Sequence, residues 1–294
     1  MLAIRFQSDG SRERRSRGKE PAPPEGRGLQ VVNFAKYTWL SQHGYSTSLR
    51  SQYVAAGWLA QPTRQVYQRP RGSLSWQQVV ISLQTLLERN LIVGGRSALE
   101  LKGFAHYLAH EKKQVHLYGP KRPPSWLNNL PLEVQFVYHN SERLFRNGAT
   151  QASASGRPPS LNTPGTRNGS LRTDLVAEPW GQWGWRLTLS SPERAVLELL
   201  DQLPDRESFD QVDKLIEGLA NLSPRRLEKL LRDCRSIKVK RLFFFFADRH
   251  RHAWLRRIDK SAIDLGKGKR MLVRGGTLNT AYQITVPEAF DAVP

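Results

Sequence analysis

The chain has 294 residues, 39% of them hydrophobic, and its 45 Lys and Arg against 26 Asp and Glu leave a formal charge of +19. That length suffices for one large core or two modest ones, and the positive excess speaks of anionic partners rather than of fold. One cysteine, Cys234, excludes an intrachain disulfide and a four-thiolate zinc site; no apolar run approaches the roughly 20 residues that span a bilayer, and the opening MLAIRFQSDG lacks the apolar stretch of a signal peptide, so a cytoplasmic protein with no membrane partner is expected.

Residues 1–30 carry Arg12, Arg14, Arg15, Arg17 and Lys19 among Gly, Ser and Pro, with too few large apolar groups to offset the entropy of ordering, which predicts a disordered basic tail. Between Glu25 and Glu88 the chain has 62 positions with no acidic residue and six basic ones, Arg27, Lys36, Arg50, Arg64, Arg69 and Arg71. At the chain's average density such a window would hold about five acids, so it reads as a surface for a polyanion. Within it, 31–75 has the order of a winged helix-turn-helix. The spacing of Phe34, Tyr37 and Leu40 predicts a helix broken at Gly44. Ser46 caps a second helix whose Leu49, Tyr53 and Ala56 share one face and which ends at Gly57. The run WLAQPTRQVYQRP then reads as two short strands around a turn. On this reading Ser46, Thr47, Ser48, Arg50, Ser51 and Gln52 face outward to a duplex, Arg50 reading a base edge, while on the hairpin Arg64 makes a phosphate or minor-groove contact and Arg69 contacts phosphate.

Residues 76–146 read as α+β. WQQVVISLQTLL is an amphipathic helix, NLIVGGRSALE a strand turning at Gly94 and Gly95 into a helix, and QVHLYG and LEVQFVY are strands joined by the Pro-rich KRPPSWLNNLP. Residues 147–172, rich in Gly, Ser, Thr, Asn and Pro, form a linker or long loop. In 173–294, WRLTL is a strand and four helices follow: one opened by Ser191, Pro192 and Glu193, one over SFDQVDKLIEGLANL, one opened by Ser223 and Pro224, and one over SIKVKRLFFFFADRHRHAWLRRI. Phe243 to Phe246 cover most of that last helix's circumference and place it in a core. GKRMLVRGG and AYQITVP are expected to pair as strands. The fold class is α+β, with an N-terminal winged helix-turn-helix, a mixed α/β middle segment and a mainly helical C-terminal domain. Ser223 to Gly276 hold 17 basic and five acidic residues, and Arg225, Arg226, Lys229, Arg232, Lys238, Lys240 and Arg241 are the expected basic C-terminal patch.

Catalytic signals are weak. The Gly-Gly-Arg-Ser turn at 94–97 is like the Gly-Gly-Ser turn of nucleotidyltransferases, but that chemistry needs closely spaced carboxylates to hold metal, and with no Asp between Asp9 and Asp174 and Glu100 and Glu111 not paired, a tight strand-to-helix turn is expected. Residues 266–270 lack the upstream glycine and the Ser or Thr of a phosphate loop. His106 and His110 share a helical face without a third ligand, and His250 and His252 read as surface or capping residues. No catalytic residue, metal or cofactor is assigned.

The runs YTWLSQHGYSTSLRSQYVAAGWLAQPTRQVYQRP, GGRSALELKGFAHYL, SSPERAVLELLDQLPDRESFDQVDKLIEGLANLSPRRLEKLL and VKRLFFFFADRH with LGKGKRMLVRGG resemble the AbiEi-type antitoxins of type IV, abortive-infection toxin–antitoxin systems, over about residues 34–287. The resemblance implies a non-enzymatic repressor that binds inverted repeats in its own promoter as double-stranded operator DNA, and that counteracts a cognate nucleotidyltransferase toxin without a stable complex. It places Ser46 to Ala56 and the hairpin around Arg64 on the DNA, bound as a monomer or a DNA-induced dimer. The Arg-rich tail and the segment 147–172 depart from the family pattern. Two other classes stay open: an RNA-binding or nucleotidyl-transferring enzyme using the basic C-terminal half, and an interaction protein that neutralises an acidic toxin by contact.

Overall fold

The computed structural model describes residues 34–290 except 43, 69, 71–73, 86, 88, 105–112, 148–173 and 182–184. The expected tail, most of the expected linker, Arg69, His106 and His110 lie outside the described residues. The chain opens with strand β1 (Phe34–Lys36), helices α1 (Tyr37–Gln42) and α2 (Thr47–Ala55), and strands β2 (Ala60–Thr63) and β3 (Val66–Gln68). The helix expected from Phe34 thus begins three residues later. Ala35 pairs with Tyr67 and Lys36 with Val66, so the backbone there is committed to a sheet ordered β1-β3-β2. Gly44, at φ +86°, makes the turn between the helices at little steric cost. Ser46 is extended and its Oγ accepts from Leu49 N, a side-chain cap of α2. Pro62, which lacks an N–H, sits on the edge strand β2, where the register shifts between Ala60 and Thr63. A small cluster of Trp39, Leu40, Tyr45, Tyr53, Leu59 and Tyr67 holds the helices on the sheet.

The body of the molecule is a five-stranded mixed sheet. Helix α3 (Trp76–Thr85) leads to β4 (Ile92–Val93), α4 (Gly95–Leu101), β5 (Lys113–Gly119), β6 (Val134–Asn140) and α5 (Ser141–Leu144); β7 (Leu175–Trp180) and β8 (Trp185–Ser190) follow. The strand order is β6-β5-β4-β8-β7. Strand β4 pairs antiparallel with β5 and parallel with β8, while β7 and β8 form an antiparallel hairpin. Strands from before and after 147–172 therefore lie in one sheet, and one apolar cluster runs from Val66 to Phe290. The two parts suggested by the linker share a core.

Helices α6 (Pro192–Asp201), α7 (Phe209–Glu217), α8 (Pro224–Asp233) and α9 (Ile237–Arg249) complete the body. Oγ of Ser191, Ser208 and Ser236 caps α6, α7 and α9. Helix α9 buries Phe243 to Phe246; Phe243 meets Trp254, Phe244 meets Tyr282, Phe246 meets Phe209 and Phe290, and Phe245 packs on Phe246. It stops at Arg249 rather than near Ile258, because Arg251 takes φ +48° and a 3-10 turn (Ala253–Arg257) follows. The terminal strands also differ from expectation: β10 (Ile284–Val286) pairs with β9 (Thr277–Asn279), and of GKRMLVRGG only Arg270 bridges to Ile284.

One polar group fixes the sheet to the helices from inside. Arg194 is fully buried and donates to Asp174 Oδ2 at 2.6 Å and Glu198 Oε1 at 2.7 Å. The other oxygen of Glu198 accepts from Ser190 Oγ at 2.7 Å and Gly95 N at 2.9 Å. A Cβ at Gly94 would lie 2.2 Å from that oxygen and 2.5 Å from the Tyr118 ring. The two glycines are thus required for close approach of the chain to an internal carboxylate.

Candidate nucleic-acid interface

Helix α2 presents Thr47, Ser48, Ser51 and Gln52 to solvent, with Ser46 exposed at its start. Several of these hydroxyls are already engaged: Ser46 Oγ caps the helix and lies 3.1 Å from Ser48 Oγ, and Ser51 Oγ donates to Thr47 O at 3.1 Å. The amide of Gln52 makes no hydrogen bond to a described residue, which leaves a donor and an acceptor side by side on the open face. Arg64 is exposed in the two-residue turn of the β2–β3 hairpin, next to Gln65 at φ +66°. Trp58, 37% exposed, lies just beyond α2, a feature the sequence pattern does not single out.

Arg50 is not on this surface. It is 4% exposed, and its guanidinium donates to Tyr37 O at 3.2 Å, Ser41 Oγ at 2.6 Å, Tyr45 O at 2.9 Å and Thr47 Oγ1 at 2.9 Å. Its Cζ lies 5.8 Å from the centre of the Tyr67 ring. The cation gathers the carbonyls and hydroxyls of α1, of the turn and of the first turn of α2, so it sets the angle between the helices rather than reading a base. The physical reason is that a guanidinium carries several donors in one plane and can serve the acceptors of two helices and their turn at once where a small core closes over them.

The expected C-terminal patch divides likewise. Arg225, Arg226, Lys229 and Arg232 are exposed on α8, Arg226 lying 3.7 Å from Glu193 and Arg232 pairing with Glu228. Lys238 is half-buried and donates to Asp201 O and Leu203 O at 2.7 and 2.8 Å. Lys240 and Arg241, 3% and 2% exposed, are corrected from surface to interior: Lys240 Nζ donates to Asp264 O, and Arg241 to Leu265 O, Gly268 O and Gln283 O. Helix α9 is buried on nearly every side, so its cations serve unpaired carbonyls of the segments that cover it.

Two histidines that the sequence did not mark meet on neighbouring parallel strands. His116 Nδ1 and His139 Nε2 are hydrogen-bonded at 2.9 Å, one ring donating to the other, and His139 stacks on Tyr118 with ring centres 4.6 Å apart. Burial, with Arg96 and Arg206 adding to it, lowers His116 to about 4; burial, with His116 and Arg206, lowers His139 to about 3. The pair is therefore neutral at ordinary pH. His250 faces Asp213 at 2.7 Å, and His252 is buried with Nε2 donating to Ile216 O. Among the described residues no group of three or more His, Cys, Asp or Glu is placed to hold a metal ion, and no helix is long and apolar enough to cross a membrane.

Comparison with known proteins places these observations. Residues 30–110 match the family described as transcriptional regulator, AbiEi antitoxin N-terminal domain, and residues 112–287 match transcriptional regulator, AbiEi antitoxin, type IV TA system. No curated protein matches. Among solved structures, the RV2827C protein from Mycobacterium tuberculosis is similar over 87% of this chain and 86% of its own, with a TM-score of 0.52 at 16% identity, a likeness of fold alone. The mixed α+β chain described here belongs to the AbiEi family of antitoxin transcriptional regulators of type IV toxin–antitoxin systems.

Proposed function

We propose that residues 31–75 form a winged helix-turn-helix that binds double-stranded operator DNA, with α2 in the major groove and the β2–β3 hairpin as the wing. The observation that carries this reading is the open, acid-free face of α2, on which Gln52 stands without a partner beside Thr47, Ser48 and Ser51. A Gln amide matches the paired donor and acceptor of an adenine edge, and small hydroxyls fit other edges. Arg64 at the hairpin tip supplies a phosphate contact, and the cations of α8 offer further positive potential. The protein represses its own promoter at inverted repeats, two copies meeting on the DNA because a two-fold operator seats two recognition helices. It acts in the cytoplasm, and it counteracts a nucleotidyltransferase toxin without a lasting complex. Nucleotidyl transfer by this chain is disfavoured by the Gly94–Gly95 turn, whose amide is occupied by Glu198 instead of standing open to a phosphate.

The test is binding of operator and scrambled duplexes by fluorescence anisotropy across a salt series. Gln52→Ala is expected to lower the ratio of operator to scrambled affinity by roughly 5- to 100-fold, whereas Arg64→Ala weakens both and reduces the salt slope by about 0.9. Equal affinity for the two duplexes in the parent protein would overturn the reading.

A further inference from the structure

Between Asp264 and Glu288 lie 23 residues without a carboxylate. They begin with a loop, 265–276, whose backbone is tied down from three sides. Arg241 donates to Leu265 O and Gly268 O at 2.7 Å each. Arg270 exchanges backbone hydrogen bonds with β10, its N–H donating to Gln283 O at 2.8 Å and its carbonyl accepting from Thr285 N at 3.0 Å. Thr285 Oγ1 accepts from both Leu272 N and Val273 N. Leu272 and Val273 pack against the main core. Met271 does the opposite and is 71% exposed, the most exposed large apolar side chain among the described residues.

Within four residues of that methionine along the loop are Lys267, Lys269, Arg270 and Arg274, all exposed. None has a carboxylate of a described residue within ion-pair range, although Arg226, Arg232, Lys238, Arg249 and Lys260 in the same half of the chain each have one. An anchored loop that carries four exposed cations and one exposed, flexible apolar side chain has the makeup of a nucleic-acid contact: the cations take phosphates, and the methionine lies against a sugar edge or a base step of the minor groove. Because its backbone is already held, little ordering entropy opposes the contact. An anionic bilayer would also attract the cations, but only one apolar side chain is offered to it, and the chain belongs to a family of transcriptional regulators.

We infer that the 265–276 loop is a second contact with duplex nucleic acid, in which Lys267, Lys269, Arg270 and Arg274 bind phosphates and Met271 is the apolar element. This inference rests on the loop alone and not on the reading of α2. The experiment compares the parent chain with a Lys267→Gln, Lys269→Gln, Arg274→Gln triple variant and with Met271→Ser. The four replaced side chains are exposed and, among the described residues, make no side-chain hydrogen bond or ion pair, so an unchanged melting temperature is expected. The probes are a random-sequence DNA duplex, an RNA duplex of the same length and phosphatidylglycerol vesicles, each across a salt series. The triple variant is expected to lower the salt slope on a duplex by about 2.7, which corresponds to roughly 80-fold weaker binding at 0.2 M salt relative to 1 M. Met271→Ser is expected to weaken binding with no change of slope. A loss on DNA or on RNA alone identifies which duplex the loop serves; unchanged duplex slopes, or a loss seen only with vesicles, overturn the inference. Arg64→Ala run alongside separates the two contacts: if the loop variants bind like the parent while Arg64→Ala does not, the loop contact falls and the head's stands, and the reverse pattern removes the head's.

Discussion

Replacing Arg50 with alanine tests the corrected role of that residue most directly. The change removes four hydrogen bonds, two to the carbonyls of Tyr37 and Tyr45 and two to the hydroxyls of Ser41 and Thr47, and leaves a void where the guanidinium stood. Hydroxyls can rotate toward other acceptors, so the carbonyls set the scale. A buried acceptor left unpaired costs about 1–3 kcal/mol, and loss of a charged donor from a closed site brings the total to about 3–5 kcal/mol. The cluster around Trp39, Leu40 and Tyr53 is small, so a loss of that size is a large part of what holds the head closed. Hydrogen exchange followed by mass spectrometry reads the effect locally: amides of Thr47–Ala55 are expected to exchange roughly 100-fold faster or more, since about 1.4 kcal/mol corresponds to a factor of ten. Arg50→Lys is not expected to rescue, because one ammonium cannot reach all four acceptors as the planar guanidinium does. With the head binding DNA as proposed, affinity for operator and for random DNA is expected to fall together in both variants. Unchanged exchange in α2 combined with a selective loss of sequence discrimination would refute the structural role and return Arg50 to the interface.

Three further outcomes are expected. The folded-state values of His116 and His139 lie below the ordinary 6.5, at about 4 and about 3, so the unfolded chain takes up protons first; stability is full above pH 6.5 and declines through the folded values by about 1.4 kcal/mol per unit per histidine. Urea midpoints measured from pH 7 to 4.5 should therefore fall, and a His116→Gln, His139→Gln variant should flatten the profile; a flat parent profile would contradict the burial of the pair. Phe246→Ala, at a fully buried position touching Phe209 and Phe290, is expected to lose about 3–5 kcal/mol in denaturant titration, and a loss under 1 kcal/mol would show that the site collapses freely. Burial pushes the Cys234 thiol up to about 11, so an aromatic disulfide reagent should label the protein only in denaturant; stoichiometric labelling of the native chain at pH 8 would show that α8 opens readily.

The legible parts of the fold are those whose signals are local. Ser191, Pro192 and Glu193 each act within one helical turn, and α6 begins where they stand. Strand β7 escaped because LVAEPW contains Glu178 and Pro179, which a central strand excludes; the sheet order puts it at an edge, where a missing donor is tolerated. The end of α9 escaped for a different reason. No glycine or proline marks it, and the chain turns through an arginine at φ +48°. MLVRG looks like a strand by composition, yet Thr285 Oγ1 captures the two amides that would extend the pairing.

Cations posed the harder problem, because a helical pattern sorts side chains by polarity and places every arginine outward. What decides the matter is whether unsatisfied acceptors converge on the position, and acceptors are mostly backbone atoms that leave no trace in side-chain periodicity. Arg50 finds its carbonyls 5 and 13 residues back along the chain; Arg241 finds those of Leu265, Gly268 and Gln283, 24 to 42 residues ahead. Between Ser223 and Gly276 these buried cations contribute to the net charge as fully as Lys267 and Arg274, which are exposed and have no side-chain acceptor among the described residues. The fold thus uses some cations as internal donors, and Arg241 holds the backbone of the loop that carries Lys267, Lys269, Arg270 and Arg274, so an interior charge positions exposed ones without touching them.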